Sequence, residues 1–174
     1  MTSSYHATRF TEEEKRDVLW RTLWRSYFKT RVPEDGCVLD LGSGYGQFIN
    51  NVEARRRIAI DAWAGFPNHL ADGVEAIVGD VADLRMIDDG VVDFAFASNI
   101  FEHLPQERVA KALSEVRRVL SGRGTLTILQ PNFAYAYREY FDDYTHVSIW
   151  SHVSMANFLE ANGFDDAKPQ MHDL

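Results

Sequence analysis

An apolar strand that runs directly into three alternating glycines constrains the fold more than any other feature of this sequence. The strand covers residues 38–41, and Gly42, Gly44 and Gly46 follow it. Glycine tolerates positive φ and lets the backbone approach a ligand, and the start of a following helix offers unpaired N–H donors. We predict that helix over residues 47–54. The chain should therefore place a ligand-binding turn at the carboxyl end of its first strand.

Short β-rich runs alternate with helical stretches along most of the chain, which indicates a parallel sheet with crossover helices. The predicted strands are Cys37–Leu41, 57–61, Val74–Val78, 91–97 and 124–129. The clearest crossover helix runs from Pro105 to Gly122, and Gly122 is expected to take the left-handed conformation that ends many helices. Its predicted buried face consists of Val109, Ala112, Leu113, Val116, Val119 and Leu120.

Further helices are predicted near both ends of the chain. A capping box at residues 11–14, from Thr11 to Glu14, indicates a helix start. Apolar residues then recur at helical spacing and predict a core-facing stripe, formed by Leu19, Trp20, Leu23, Trp24, Tyr27 and Phe28. The last helix is predicted over residues 151–162, capped by Ser151 and stopped by Gly163. The aromatic-rich segment 130–150, which lies between the fifth predicted strand and this last helix, has neither helical nor strand periodicity.

The composition indicates one globular domain in the cytoplasm. The chain has 174 residues and a net charge of −8, which gives no basic face for a nucleic acid, and it has no apolar run of about 20 residues for a membrane span. Its one cysteine, Cys37, excludes an internal disulfide and a cysteine-based zinc cage. The first 30 residues lack the pattern of a signal peptide, so we expect a cytoplasmic protein.

The spacing of the glycines distinguishes between classes of nucleotide ligand. A strict dinucleotide fingerprint requires a further glycine where this chain has Gln47, which disfavours NAD and FAD. Asp61 ends the second predicted strand, about 20 residues beyond the glycines, where a carboxylate can accept hydrogen bonds from both ribose hydroxyls. The pattern therefore favours a nucleoside ligand without a pyrophosphate.

Two further motifs follow the later strands: Gly79-Asp80-Val81 comes after the third strand, and residues 98–104 come after the fourth. Together with the glycine loop and Asp61, they resemble the class I S-adenosylmethionine-dependent methyltransferases of type 11. The resemblance covers roughly residues 38–164. The resemblance implies a Rossmann-like, doubly wound α/β fold whose mostly parallel sheet has helices on both faces. It implies S-adenosylmethionine as cofactor and S-adenosylhomocysteine as product. The loop would hold the methionine part, Asp61 the ribose and Asp80 the adenine. The implied cofactor-binding residues are Asp40, Gly42, Ser43, Gly44, Tyr45, Gly46, Asp61, Ala62, Asp80, Val81, Asn99, Ile100 and Phe101.

Methyl transfer from a sulfonium is an in-line displacement, and a hydroxyl acceptor benefits from a positioned base. The candidate catalytic residue is His146, in the acidic and aromatic loop beyond the fifth strand; a surface histidine held by Asp142 or Asp143 is the alternative. The aromatic residues of this loop form either an acceptor wall or a lid. His146 and His152 with the two aspartates show no recognised ligand spacing, so no metal site is predicted.

The leading hypothesis is a methyltransferase that acts on an oxygen, or alternatively a nitrogen, of a small-molecule, glycan or lipid-linked acceptor. A cofactor-binding assembly module without turnover is the second hypothesis, and a nicotinamide-dependent oxidoreductase is the third. Residues 164–174 supply at most one poor strand, because aspartates and Pro169 disfavour it. The last strand or strands of the family's sheet are therefore expected to be missing, which leaves an exposed edge for a homodimer.

The domain prediction is a single methyltransferase-like domain over residues 1–174. Within it, 1–36 form an N-terminal helical region, 37–130 the cofactor-binding core, 131–150 the acceptor-side loop, and 151–174 the final helix with a short tail.

Overall fold

A five-stranded sheet with the order β3-β2-β1-β4-β5 forms the centre of the chain, and every adjacent pair of strands is parallel. The structure is a computed structural model, which describes residues 13–165 and 168–169. The strands are β1 (Cys37–Leu41), β2 (Arg56–Asp61), β3 (Val74–Val78), β4 (Val92–Ser98) and β5 (Leu120–Leu129). The predicted α/β architecture is confirmed, and each predicted strand is present.

Four α-helices accompany the sheet in the described part of the chain: α1 (Glu13–Leu23), α2 (Gln106–Val119), α3 (Phe133–Ala136) and α4 (His152–Ala161). A π-helical turn, Trp24–Phe28, continues α1. Short 3₁₀ turns cover Ile49–Asn51, Phe66–His69, Phe101–His103 and Tyr140–Asp142. No helix within these described residues has both the length and the apolar character needed to cross a membrane.

Both faces of the sheet are covered by other parts of the chain. Successive residues of a strand point to opposite sides of the sheet, so each strand contributes to both faces. On one face, Leu39 and Leu41 of β1 pack in a cluster with the buried side of α2 and with Met155 of α4. On the other face, Val38 of β1 packs in a second cluster with aromatic residues of the N-terminal region. Buried side chains on both faces are typical of a parallel sheet in α/β proteins.

The predicted N-terminal stripe is largely confirmed. Trp20, Trp24 and Phe28 are buried and join the second cluster, and Leu23 and Tyr27 pack against it half-buried. Leu19 is an exception, since it is 42% exposed. The predicted capping residue Thr11 lies outside the described residues. At the other end, Ser151 caps α4 in a reciprocal pair with Ser154, and Gly163 follows the helix with φ +82°, as predicted.

The helix predicted over residues 47–54 is wrong. This segment forms irregular turns and one 3₁₀ turn, Ile49–Asn51, and then becomes extended at Val52. The side chain of Asn50 donates to the carbonyl of His69 and accepts from the amide of Ala71, so it ties the segment to a neighbouring turn. Asparagine side chains that bond backbone groups in this way compete with helix formation.

The predicted end of the crossover helix is also wrong. Helix α2 ends at Val119, and Leu120 is already extended as the first residue of β5, where it pairs with Val92. Gly122 is absent from the glycines that adopt positive φ among the described residues, because the chain passes from helix to strand without a left-handed residue. Strand β5 pairs only with β4 within the described residues, and 164–165 and 168–169 form no strand.

Candidate functional site

An open cleft of about 510 Å³ lies at the carboxyl ends of β1, β2 and β4. Open parallel sheets bind ligands at this edge, and the volume lies in the range of small-molecule sites. One end of the cleft is formed by the glycine loop with Asp40 and Asp61. Another part of the lining, called the acceptor end below, is formed by Glu102, His103 and the part of segment 131–150 that includes His146.

The glycine loop adopts the conformation that its sequence predicts. Gly42, Gly44 and Gly46 all have positive φ, at +70°, +53° and +69°. The amides of Gly42 and Ser43 donate to the carbonyl oxygen of Ile60 at 2.8 and 3.2 Å, which joins the turn to β2. A side chain at Gly44 would meet no heavy atom within 4 Å, so the backbone there faces open space. The loop can thus accommodate a ligand against its main chain.

Gly42 is the position in the loop where a side chain is least tolerated. A Cβ atom there would lie 2.4 Å from Cδ1 of Ile100, and φ is +70°. We expect Gly42→Ala to lower the free energy of unfolding by about 2–4 kcal/mol, because strained backbone and overpacking each cost about 1–3 kcal/mol. Gly44→Ala is the matched control and should cost about 1 kcal/mol, the backbone term alone. Urea unfolding measures both; equal losses would contradict the packing role of Gly42.

Asp61 ties the glycine loop to the turn that follows β2. Its Oδ2 accepts a hydrogen bond from the amide of Gly44, and its Oδ1 accepts one from the amide of Trp63, both at 2.8 Å. The side chain is buried at the end of its strand. Asp61 lines the cleft and organises the loop through two charge-assisted hydrogen bonds, and its ribose contact stays a prediction.

Asp40 lies beneath the same loop and is buried. Its Oδ2 accepts a hydrogen bond from the hydroxyl of Ser43 at 2.7 Å. Burial raises the pKa of this carboxyl to about 7 against the opposing effect of that hydrogen bond, and the nearby carboxylate of Asp61 adds to the rise. The site therefore holds a carboxyl group that titrates near neutrality.

The raised pKa of Asp40 predicts a pH-dependent stability. Between its ordinary pKa of 3.8 and about 7, the folded carboxyl keeps a proton that the unfolded one has lost, so rising pH destabilises the fold across this window. Asp40→Asn removes this titration, and the variant should gain roughly 3 kcal/mol relative to the wild type between pH 4 and 7. Urea unfolding at a series of pH values tests this. A difference between the two proteins that does not change with pH would refute it.

The other predicted cofactor residues divide into two groups. Ser43, Tyr45 and Asn99 line the cleft, and Asn99 is the one non-glycine residue with positive φ among the described residues, at +48°. Such a backbone conformation is uncommon and concentrates at functional sites. The residues not found in the cleft lining are Gly46, Ala62, Asp80, Val81, Ile100 and Phe101.

Those outlying residues have contacts of their own. Ile100 packs behind Gly42, while Val81 and Phe101 are buried in the first core cluster, and Ala62 is exposed. Asp80 forms an ion pair with Arg108 and accepts from the amide of Ala82 at 2.9 Å. The adenine role implied for Asp80 therefore remains a prediction, since its carboxylate is engaged with α2 and its own turn.

The acceptor end is assembled by hydrogen bonds between two segments that are distant in sequence. The amides of Val147 and Ser148 both donate to the carbonyl oxygen of Glu102, at 2.8 and 3.0 Å. The indole N–H of buried Trp150 donates to the carbonyl of Phe101 at 3.1 Å. These bonds hold segment 131–150 against the turn after β4, and they bring His146 to the cleft, where its sequence position predicts it.

Several residues that line the cleft were not predicted to have a role in the site. Helix α1 contributes Arg16, whose guanidinium donates to the side chain of Gln47 at 2.9 Å, and Trp20, which packs edge-on against Phe48 and Phe96. Glu102, His103 and Glu139 belong to the acceptor end. The adjacent pair Glu102-His103 directly after β4 is the signal that could have identified them.

His152 takes no part in this cleft. Its Nδ1 lies 3.0 Å from the side-chain nitrogen of Asn132, and its ring stacks on Tyr135. It is absent from the residues that line the cleft within the described chain. His146 and His152, which are close together in the sequence, are therefore in different environments.

Known proteins share both the sequence pattern and the fold. Residues 39–128 match the family model described as a methyltransferase domain. Over 99 residues the chain is 28% identical to the protein MJ0638 of Methanocaldococcus jannaschii, a match that covers 57% of this chain and 42% of that protein. The matched region thus spans less than half the length of this curated relative.

Two solved structures extend the comparison. A SAM-dependent methyltransferase from Archaeoglobus fulgidus superposes with a TM-score of 0.74 at 25% identity, over 91% of this chain and 75% of that chain. A SAM-dependent methyltransferase from Thermotoga maritima superposes with a TM-score of 0.69 at 21% identity, over 89% and 78%. The match to the family model covers more than half of the chain and includes the glycine loop and Asp61. By its sequence and its fold, the chain belongs to the class I S-adenosylmethionine-dependent methyltransferases.

Proposed function

We propose that this chain transfers a methyl group from S-adenosylmethionine to a hydroxyl group of a small-molecule, glycan or lipid-linked acceptor. One observation carries the proposal: the glycine loop and His146 line the same cleft. A cofactor held by the loop and an acceptor held near His146 would therefore meet within one cavity. In-line displacement requires little more than this alignment and the exclusion of water.

The residues in the part of the cleft formed by the glycine loop fit the cofactor. The open space beside Gly44 suits the close approach of a ligand to the backbone, and Asp61 ends β2 where a ribose hydroxyl can reach its carboxylate. When bound, S-adenosylmethionine supplies an electrophilic methyl group on its sulfonium. In this proposal the loop and Asp61 bind the cofactor and fix its orientation, and Asn99 lines the same cleft.

His146 is suited to take a proton from a hydroxyl acceptor. Its Nδ1 lies 2.6 Å from the carbonyl oxygen of Tyr140, which can only accept, so Nδ1 carries the hydrogen and Nε2 carries the lone pair. The ring also packs against that of Tyr140, with 4.6 Å between centroids. The orientation of the base is thus fixed by its neighbours before any acceptor binds.

An amine acceptor is the second candidate, and the acidic character of the acceptor end favours it. Glu139, Asp142 and Asp143 line the cleft there, beside Glu102. Carboxylates attract a cationic group, although an ammonium must lose a proton before it can be methylated. A turnover that rises through the pKa of the acceptor amine would distinguish this case from a hydroxyl acceptor.

Two measurements test the proposal. Calorimetric titration should show binding of S-adenosylmethionine and S-adenosylhomocysteine, and no binding of either would remove the methyltransferase assignment. A labelled-methyl assay against fractionated metabolites should then identify acceptors. Binding without transfer to any fraction would favour the assembly module, and quenching or enhancement of NADH fluorescence would favour the oxidoreductase.

A homodimer through the sheet edge is part of the same proposal. Strand β5 pairs only with β4 among the described residues, and an unpaired strand edge can pair with another chain. Light scattering on the purified protein should give twice the mass of the chain; the mass of one chain would refute the dimer.

A further inference from the structure

Three side chains at the acceptor end converge in a way that the proposed base does not require. Glu102, His103 and His146 each offer one potential ligand atom, and these atoms lie within 4.8 Å of one another. The two imidazole rings are 4.8 Å apart between centroids, at an angle of 63°. All three residues line the cleft. Two imidazoles and a carboxylate are a common ligand set for transition metals in proteins.

The hydrogen bonds made by the two histidines assign the hydrogen to the same ring nitrogen in each of them. Nδ1 of His146 donates to the carbonyl of Tyr140. Nδ1 of His103 lies 2.9 Å from Oγ1 of Thr145, and that hydroxyl in turn donates to Asp143 at 2.6 Å. Nδ1 of His103 is therefore the donor, and Nε2 carries the lone pair in both rings. Metal-binding histidines are usually oriented in this manner, by a carbonyl or carboxylate behind the ring.

Glu102 supplies an independent observation. Its side chain is 1% exposed, and neither carboxylate oxygen accepts a hydrogen bond from another described residue. Burying an ionised carboxylate without a partner is costly, so such a group either keeps its proton or is compensated by a cation or by hydrogen-bond donors. The main chain of Glu102 is fixed in place by Val147 and Ser148, so the carboxyl group is held beside the two imidazoles rather than left in solvent.

We propose that Glu102, His103 and His146 bind one divalent transition-metal cation of the Zn²⁺ class. Bonds of about 2.0–2.2 Å to each ligand place neighbouring ligand atoms roughly 3–3.5 Å apart. Because the ligand atoms already lie within 4.8 Å of one another, the side chains need to close by at most roughly 1–2 Å on binding. Two imidazole ligands favour such a cation over Mg²⁺, which prefers oxygen ligands and retains its waters. No ligand spacing in the sequence indicates the site, because His146 is far along the chain from the Glu102-His103 pair.

The proposed ion deepens the proposed function, and its role in turnover rests on that function. Three protein ligands leave at least one position on the ion for an acceptor oxygen. A bound cation would lower the pKa of a coordinated hydroxyl, whose proton would pass to solvent in the open cleft, and the acceptor would then be an anion. His146 would then serve as a ligand instead of as the base. The carboxylates of Glu139 and Asp142, which also line this end of the cleft, would favour entry of a cation.

Titration of the untagged 174-residue chain with Zn²⁺ tests the site, after treatment with a chelator and in the absence of cofactor and acceptor. We expect calorimetry to show one Zn²⁺ bound per chain. In a separate titration, Co²⁺ added in place of Zn²⁺ should give the visible absorption bands of protein-bound Co²⁺. His103→Ala, His146→Ala and Glu102→Gln should each weaken binding at least about a hundredfold, which exceeds the effect of losing an outer-shell partner. His152→Ala is the matched control and should bind as the wild type does, because His152 contacts Asn132 outside the cleft.

Three results would overturn the metal site: no stoichiometric Zn²⁺ binding, binding that survives the three ligand variants, or loss of binding in the His152→Ala control. A circular dichroism spectrum of each variant separates ligand loss from unfolding, and Thr145→Val offers a milder test. That change should weaken binding about tenfold, since it removes only the group that orients His103. Failure of these titrations leaves the methyltransferase proposal intact, because cofactor binding is measured separately.

Discussion

Asp61→Ala is expected to weaken binding of S-adenosylmethionine at least tenfold, and calorimetry would measure this directly. A charge-assisted hydrogen bond contributes about 1.5–3 kcal/mol, and one such bond to the ribose would account for the loss. The structure adds a second cause. The carboxylate also holds the amides of Gly44 and Trp63, so the variant loses part of the loop's organisation before any ligand binds.

Asp61→Asn separates these two contributions. The amide keeps one acceptor oxygen for the backbone but removes the charge and places an NH₂ group where the carboxylate accepted a hydrogen bond. Its affinity should lie between those of the wild type and Asp61→Ala. Asp72→Ala, at an exposed position outside the cleft, is the control and should bind normally. Unchanged affinity in Asp61→Ala would show that the ribose site lies elsewhere.

The contacts of Asp61 also change what should happen to stability. From the sequence, a residue at the end of a strand contributes little to the core. In the structure, however, Asp61 is buried and accepts two backbone hydrogen bonds. Its replacement leaves two amide donors without their acceptor, at a cost of about 1–3 kcal/mol each when such groups are fully buried. Some loss of stability should therefore accompany the loss of affinity.

The strands were predictable because their signal is local. Cys37–Leu41 and Val74–Val78 agree with the structure residue for residue, and the turn after the first strand required the three glycines that it has. The helix expected after the glycines was not predictable in the same way, because Asn50 bonds a turn twenty positions away. The helical pattern of the sequence near the loop gives no information about such a tertiary contact.

The site was predictable in part for a similar reason. The loop residues and Asp61 are fixed by their place at strand ends, so sequence order alone indicates that they meet. The meeting of Glu102, His103 and His146 depends on hydrogen bonds from Val147 and Ser148 to the carbonyl of Glu102. No spacing in the sequence encodes those bonds, and for this reason His146 was identified without its neighbours.

His146→Ala is expected to lower turnover by roughly 10² to 10⁴ while leaving cofactor affinity nearly unchanged, since the residue lies at the acceptor end of the cleft. A labelled-methyl assay and calorimetry with S-adenosylhomocysteine measure the two quantities. The matched control is His152→Ala, which removes an imidazole outside the cleft and should change neither. If cofactor binding falls together with turnover, His146 supports the fold of segment 131–150 instead of the reaction.

The same variant separates a base from a metal ligand when it is compared with chelator-treated wild type. A general base acts without an ion, so chelation would leave wild-type turnover intact while His146→Ala remained slow. A ligand acts only through the ion, so chelation should reduce the wild type to the level of the variant, and added Zn²⁺ should restore the wild type alone. Glu102→Gln provides the decisive comparison: it removes a charge from the ion's site but leaves His146 and its bond to Tyr140 in place. Turnover that survives Glu102→Gln and is lost in His146→Ala identifies a base, and equal loss in both identifies the metal site.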